Sequence, residues 1–579
     1  MSSRKLERFR DLVFPRARMG TRFEQATLAA AAVFPALTAV LHAENVADAA
    51  HDGGVIRTVG LGWAGPWQAL DAWIAAPFLM LPIGTQVFRA ALASAVVCGL
   101  AGAVMYGMAR ALLAACAPTR WLGPAVAAIA SAMAALSMAW QTEALAPGGA
   151  TAGALLVLLA VWAAGSQRAV WTAFFTLSAL IYEPWAGAAA VVGALFAGGT
   201  AFLQGRRPAR PGPRELALVA AALGPLVLLA VRRPRTAFFA TVPWFDLEAL
   251  PAHPMFVAHA QLGWLALALA AAGTVAALLA AGARPLAMGL VGVVGASAGA
   301  IACGAAAVGP THFGPVILAG VAGLALLSAV AMHELVRMVH RAQVPLASAS
   351  AAMIVLLELT FPVVLFDEAT LRSEERTRAA QVAWHEALFG GLPARTVLLA
   401  SDGRFLEHLA ALRASHLLRG DLAVVSTAHL NARPAMRELA REPKLAAFFR
   451  DMALNGLPSE WALTTLASER PLAVLFEPAW DKSIARHLIA SGAVDLFHPE
   501  PRSTLERKRA LEAFSPVRER WEQLLAAPEN PDVRAIVAVP LQSRAEALAA
   551  THERELASRT EEDLRAVTQL RNSGAVPTR

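Results

Sequence analysis

Among the acids that connect long apolar runs are Glu44, Asp48, Asp52, Asp71, Glu143, Glu183, Asp246 and Glu248. A carboxylate beside a membrane is costly to dehydrate, so its presence points to a partner or a reaction; the plain alternative is a solvated loop acid. Such a group can act as general base, taking the proton of an acceptor hydroxyl as that oxygen attacks an anomeric carbon. Asp52 is the foremost candidate, because Gly53 and Gly54 follow it and let the backbone approach a ligand closely. Trp63, Trp67 and Trp73 come next, with rings that stack on sugars or anchor the chain at a lipid interface. Arg232-Arg233-Pro234-Arg235 brings guanidinium forks that match phosphate or pyrophosphate oxygens, or that snorkel to the interface.

The elements that must position these groups are membrane spans. In 579 residues the chain is 57% hydrophobic and 16% charged, too apolar for one soluble globule, whose charged share is about 25%. Between Gln25 and Phe366, apolar stretches of about 17 to 25 residues recur, each long enough to cross a hydrocarbon core. The spans fall near 25–43, 88–113, 121–140, 148–164, 170–182, 186–203, 216–231, 261–281, 285–308, 313–333 and 344–366, about 11 in all. At Ile181-Tyr182-Glu183-Pro184-Trp185 two readings stay open: Pro184 kinks one long helix or separates two.

Charge orients these spans. Basic residues crowd the N-terminal tail (1–24) and every second loop, at Arg110 and Arg120, Arg168, Arg206 to Arg214, Arg284, and Arg337 and Arg341. The opposite loops hold almost none, which places the N-terminus in the cytoplasm and, with an odd span count, the C-terminal domain outside it. Arg232 to Arg235 break that rule. The net charge of +7 therefore serves topology, and a nucleic-acid partner is excluded. The first outer loop, 44–87, carries a weakly apolar stretch, Ala69 to Leu81, that reads as a helix lying in the interface.

After Asp367 the pattern changes. Thr396–Ala400, Leu422–Ser426 and Leu472–Phe476 are β-type runs separated by helical patterns, the signature of an α/β domain with a largely parallel sheet over 367–579. No GxxxxGK[ST], HExxH or CxxC motif occurs, and Asp402-Gly403 reads as an ordinary strand-to-helix turn. Cys98, Cys116 and Cys303 lie in or beside apolar runs, so no disulfide framework or thiolate metal site is expected. No cofactor is expected, with a divalent metal left open.

Several strings resemble the GT-C fold transmembrane O-mannosyltransferase-like family. They are Asp52-Gly-Gly-Val55, Leu61-Gly62-Trp63-Ala64-Gly65-Pro66, and Leu81-Pro82-Ile83-Gly84 with Phe88-Arg89 and Ser94-Ala95. In the family's order follow Ser137-Met-Ala-Trp140 with Glu143, then Ile181-Tyr182-Glu183-Pro184, Leu392 to Asp402, and Arg419-Gly-Asp421 to Val425. The resemblance implies a glycosyltransferase (hexosyltransferase) of the bacterial inner membrane. Such an enzyme takes a sugar from a polyprenyl-phosphate carrier and delivers it to a protein or glycan acceptor on the extracytoplasmic side. On that reading Asp52, Glu143 and Glu183 are the catalytic acids, Arg232, Arg233 and Arg235 hold the donor phosphate, and Trp63 and Trp67 contact sugar or acceptor. This chain departs from the family where its Glu falls on Val55 and its His-Pro-Pro-Gly on Gly65-Pro66-Trp67-Gln68. Those departures favour the alternative, a non-catalytic membrane scaffold or lipid-binding relative. A transporter is a third reading, poorly matched because paired polar residues inside the spans are scarce.

Overall fold

The structure is a computed structural model. It describes residues 22–44, 52–59, 70–117, 119, 122–232, 254–302, 310–341, 385, 388–389, 391–428, 430, 433–513 and 531–569. The chain divides into two compact units. One comprises 1–44, 67–83 and 88–367; the other comprises 45–66, 84–87 and 368–579.

The first unit is helical. It opens with α1 (Arg22–Leu41); α2 (Asp52–Val59) follows in the chain but belongs to the second unit. Then come α3 (Leu70–Leu79), α4 (Gln86–Cys116), α5 (Leu122–Ala135), α6 (Met138–Leu145), α7 (Thr151–Gly165), α8 (Ala169–Tyr182) and α9 (Pro184–Leu203). The unit continues with α10 (Pro213–Arg232), α11 (Pro254–Leu279), α12 (Arg284–Ala302) and α13 (Pro310–Arg341). Six of these, α1, α4, α9, α11, α12 and α13, are long and apolar enough to cross a membrane, and the bent pair α5–α6 makes up to seven. The chain is thus a multi-pass membrane protein. Helices stand at each expected span from 25 to 333, whereas the span at 344–366 lies outside the described residues.

Lipid offers no hydrophobic drive for helices to associate, so close packing of small residues must hold the bundle. A Cβ on Gly273 of α11 would lie 1.9 Å from the Leu327 carbonyl oxygen of α13, and one on Gly193 of α9 would lie 2.6 Å from Val161 and 2.7 Å from Val293. Only glycine permits these approaches. The Ala- and Gly-rich composition is the packing code of this unit.

At Glu183 the two open readings resolve. Its backbone is extended (φ −153°, ψ 129°), Pro184 starts α9, and Gly187 packs on Leu180, so α8 and α9 are separate helices folded into a hairpin. A correction concerns 141–147, expected as an outer loop. The helix bends by 62° after Ala135 and continues as α6 to Leu145, burying Gln141, Glu143 and Ala144. Arg110, expected in a loop, lies in α4 and gives Nε and NH2 bonds of 3.0 and 2.8 Å to Glu24 Oε1 of α1. Near it, Thr119 Oγ1 bonds His333 Nε2 at 2.9 Å, and Glu334 pairs with Arg337.

The second unit is a three-layer α/β/α sandwich. Its elements are β1 (Val397–Ala400), α14 (Gly403–Ala414), β2 (Ala423–Ser426), α15 (Arg433–Arg441), α16 (Ala446–Asn455), α17 (Glu460–Glu469), β3 (Leu472–Val474), α18 (Lys482–Ala485), β4 (Leu488–Ser491) and β5 (Val494–Phe497). The helices α19 (Thr504–Glu512), α20 (Pro531–Ala550) and α21 (Arg554–Gln569) close it. Sheet order is β2-β1-β3-β5-β4. Strand alternation feeds both cores: Leu398 and Ala400 face Phe405, Leu409 and Leu541, while Val397 and Leu399 face Phe448, Leu463 and Trp480.

β1, β2 and β3 are parallel, as their helical connections allow. β5 runs antiparallel to both neighbours; against β4 this follows from Gly492 (φ 64°) and Ala493, which join the two strands in a hairpin too short for a crossover. The largely parallel sheet expected from three apolar runs is therefore mixed.

Candidate functional site

Glu143 and Glu183, two candidate acids of the first unit, stand where α6 and α8 finish, while Asp48, Asp246 and Glu248 lie outside the described residues. Glu143, 5% exposed, turns its Oε2 to the backbone N–H of Ala150 at 2.7 Å, satisfying a donor that precedes α7. The intervening turn is possible because Gly148 takes φ 63° and Gly149 lacks a Cβ, which would sit 1.9 Å from the Glu143 carbonyl oxygen. Ser94 joins the same turn, its Oγ accepting from Gly149 N–H at 3.4 Å.

Tyr182, the last residue of α8, donates its hydroxyl to the Gly149 carbonyl at 2.9 Å. Glu183 is the next residue, half-buried at the helix break. One turn therefore ties together the two places that the sequence singled out, around Glu143 and around Tyr182-Glu183. Gly314 of α13 completes the wall, with its α-carbon face against Ala150 and the Glu143 carboxylate. Glu44, 2% exposed, gives its backbone N–H to Leu145 O at 3.2 Å, so a second buried carboxylate residue borders α6.

α10 packs beside α8 in an apolar cluster that holds Trp171, Phe174, Val219 and Leu223. Arg232 is the last residue of α10. Arg233, Arg235, Trp63 and Trp67 lie outside the described residues. Asp52 is the first residue of α2 and belongs to the second unit.

The position of the family's Glu, Val55, is fully buried against Val87, Ala411 and Ala414, with Val59 beside it. It serves apolar packing of α2 on α14. α3, expected as an interfacial helix, is observed as a short apolar helix whose end is held by Arg89, NH1 donating to the Leu79 and Leu81 carbonyls at 2.9 Å each.

Chemically, Glu143 holds a turn, and Glu183 stands at an irregular, half-buried junction. Among the described residues no three His, Cys, Asp or Glu side chains converge as a metal-holding group. Asp402 caps α14, its Oδ1 accepting from Phe405 N at 2.7 Å, which is an ordinary strand-to-helix turn.

Two polar residues near this end went unread in the sequence, Gln141 and Gln261. The signal was partial: Gln261 is an uncharged amide at the first position of an expected span and Gln141 directly follows the end of another, and an unbonded polar group at membrane depth is costly. Gln141 Nε2 donates to Ala135 O at 2.7 Å, and Gln261 Oε1 accepts from Ala139 N–H at 2.8 Å.

No family model matches the chain, and no curated protein matches it. Among solved structures, the chain is similar to the crystal structure of ArnT from Cupriavidus metallidurans bound to undecaprenyl phosphate. The two share 14% identity over 83% of this chain and 98% of that one, with a TM-score of 0.46.

Proposed function

We propose that the chain is a membrane glycosyltransferase of GT-C type, moving a sugar from a polyprenyl-phosphate carrier to an acceptor on the extracytoplasmic side. The supporting observation is the shared turn: Glu143 and Tyr182-Glu183, which the family resemblance pairs in order, meet through Gly149 and Ala150. In this reading Asp52 is the acid that takes the acceptor proton, Glu183 a second acid, and Glu143 the residue that shapes the turn. Arg232, with Arg233 and Arg235, supplies the charge for the carrier phosphate.

A second reading, a non-catalytic scaffold or lipid-binding relative, is favoured by Val55. A buried valine in an apolar cluster stands where the family places a carboxylate, and valine can neither transfer a proton nor hold a metal. Transfer of labelled sugar from polyprenyl-phosphate donors, measured with purified protein in lipid, decides between the two. The glycosyltransferase reading expects turnover in wild type and its loss in Asp52→Asn. Absence of turnover with every donor and acceptor class moves the assignment to the scaffold.

A further inference from the structure

The bundle is interrupted at several points that share bonds. α1 contains Pro35, α5 breaks from α6 at Leu136-Ser137, and α11 is broken at Gly263, whose φ of 79° and ψ of 162° are not helical. A broken helix frees backbone donors and acceptors, and at membrane depth these must be satisfied by protein. Two glutamines do so with opposite chemistry.

Gln261 of α11 acts as an acceptor. Its Oε1 takes the Ala139 N–H at 2.8 Å, one of the orphan donors in the first turn of α6, where Ser137 makes no side-chain cap. Gln141 of α6 acts as a donor. Its Nε2 reaches back across the bend to Ala135 O at 2.7 Å, with Pro35 O of α1 at 3.5 Å. Gln141 is 1% exposed, so these bonds form away from water.

We propose that Gln261 and Gln141 are positioning residues that fix the 62° bend and thereby present α6, with Glu143 and the turn it holds, at the end of the bundle. The inference deepens the proposed transfer reaction and rests on that reading for its catalytic consequence alone. The geometric part stands separately. Since one amide is used as acceptor and the other as donor, the same change, glutamine to glutamate, has opposite effects at the two sites. Gln261→Glu keeps an oxygen facing the Ala139 N–H, whereas Gln141→Glu sets an oxygen against the Ala135 carbonyl.

The test is amide hydrogen exchange over residues 138–150 in the full chain in lipid nanodiscs, with no sugar substrate present. Gln261→Glu is expected to exchange like wild type, while Gln261→Leu and Gln141→Glu exchange about fivefold faster or more, as for loss of a helix-capping bond. A Gln261→Leu chain that exchanges like wild type, or a Gln261→Glu chain that exchanges faster than Gln261→Leu, overturns the proposal, because the side chain then only fills space. Should Gln141→Glu fail to assemble, the Gln261 pair decides alone. Inactivity toward every sugar donor removes the glycosyltransferase reading and leaves this readout untouched.

Discussion

Glu143 Oε2 accepts the backbone N–H of Ala150 at 2.7 Å, so the carboxylate that the sequence offers as a catalyst is also the latch that begins α7. Glutamine keeps an acceptor oxygen there and alanine does not. Glu143→Ala is expected to destabilise the protein in lipid by about 1.5–3 kcal/mol, the cost of losing a buried charge-assisted bond, and Glu143→Gln by less than half of that. Thermal unfolding in nanodiscs measures both. Full stability of the alanine variant removes the latch role.

Helix approach supplies an internal comparison between two glycines. Gly273→Ala must push α11 away from the Leu327 carbonyl, while a Cβ at Gly199 meets nothing within 4 Å. Gly273→Ala is expected to lower the unfolding midpoint in detergent by several degrees, in the range of about 1–3 kcal/mol for overpacking. Gly199→Ala is expected to be neutral or slightly stabilising. Equal behaviour of the two variants contradicts the close α11–α13 packing.

In the second unit, Arg544 Nε donates to Asp495 Oδ1 at 2.9 Å with both side chains buried, and its NH2 serves the Gly492 and Val494 carbonyls. Removing one partner strands the other charge. Arg544→Met is expected to cost about 3–5 kcal/mol, and the pairing of Arg544→Met with Asp495→Leu distinctly less than the sum of the two single changes. Urea unfolding of the four chains gives the coupling directly.

His498 gives a pH dependence with a fixed sign. Burial, and then the Arg502 guanidinium at its Nδ1 (3.0 Å), hold its pKa below the usual histidine value. The folded state therefore resists a proton that the unfolded chain accepts near pH 6.5. Stability is complete above that pH and falls as the solution is acidified through it toward the lower folded-state value. His498→Gln is expected to flatten the unfolding midpoint between pH 7 and about 5.5. An unchanged slope assigns the acid sensitivity to another group.

Asp421 acts at lower pH. Its carboxyl is held well below the usual carboxylate range by Arg419, which also donates to the Phe389 and Leu392 carbonyls, and by the Arg395 N–H. Its contribution is present above about pH 4, where unfolded aspartate ionises, and is lost as pH falls further. Asp421→Asn should therefore match wild type in strong acid and be less stable at neutral pH, a difference that acid unfolding curves report.

Hydropathy placed the helices because a span is a local property: about 20 apolar residues must hide their own backbone from lipid, whatever lies beside them. For the same reason β1, β2 and β3 were legible as apolar runs, since strands covered on both faces have no polar side to show. The helix α2 was not. Its Asp52-Gly-Gly start carries two glycines of poor helix propensity, which packing of Val55 and Val59 on Ala411 and Ala414, far along the chain, outweighs. The β4–β5 hairpin escaped notice because its strands are short and its turn, Gly492-Ala493, is not one of the strong hairpin dipeptides.

The sequence by itself determined that this chain crosses a membrane many times, carries an α/β unit and holds acids and arginines suited to sugar and phosphate chemistry. Which of those groups work together was decided by tertiary structure. Glu143 is caught by a turn that only Gly149 allows, Tyr182 reaches that turn from another helix, and Gln261 crosses from α11 to cap α6. Each of these bonds depends on the direction in which a broken helix leaves its break, and that direction is fixed by packing between helices and is not encoded in any single segment.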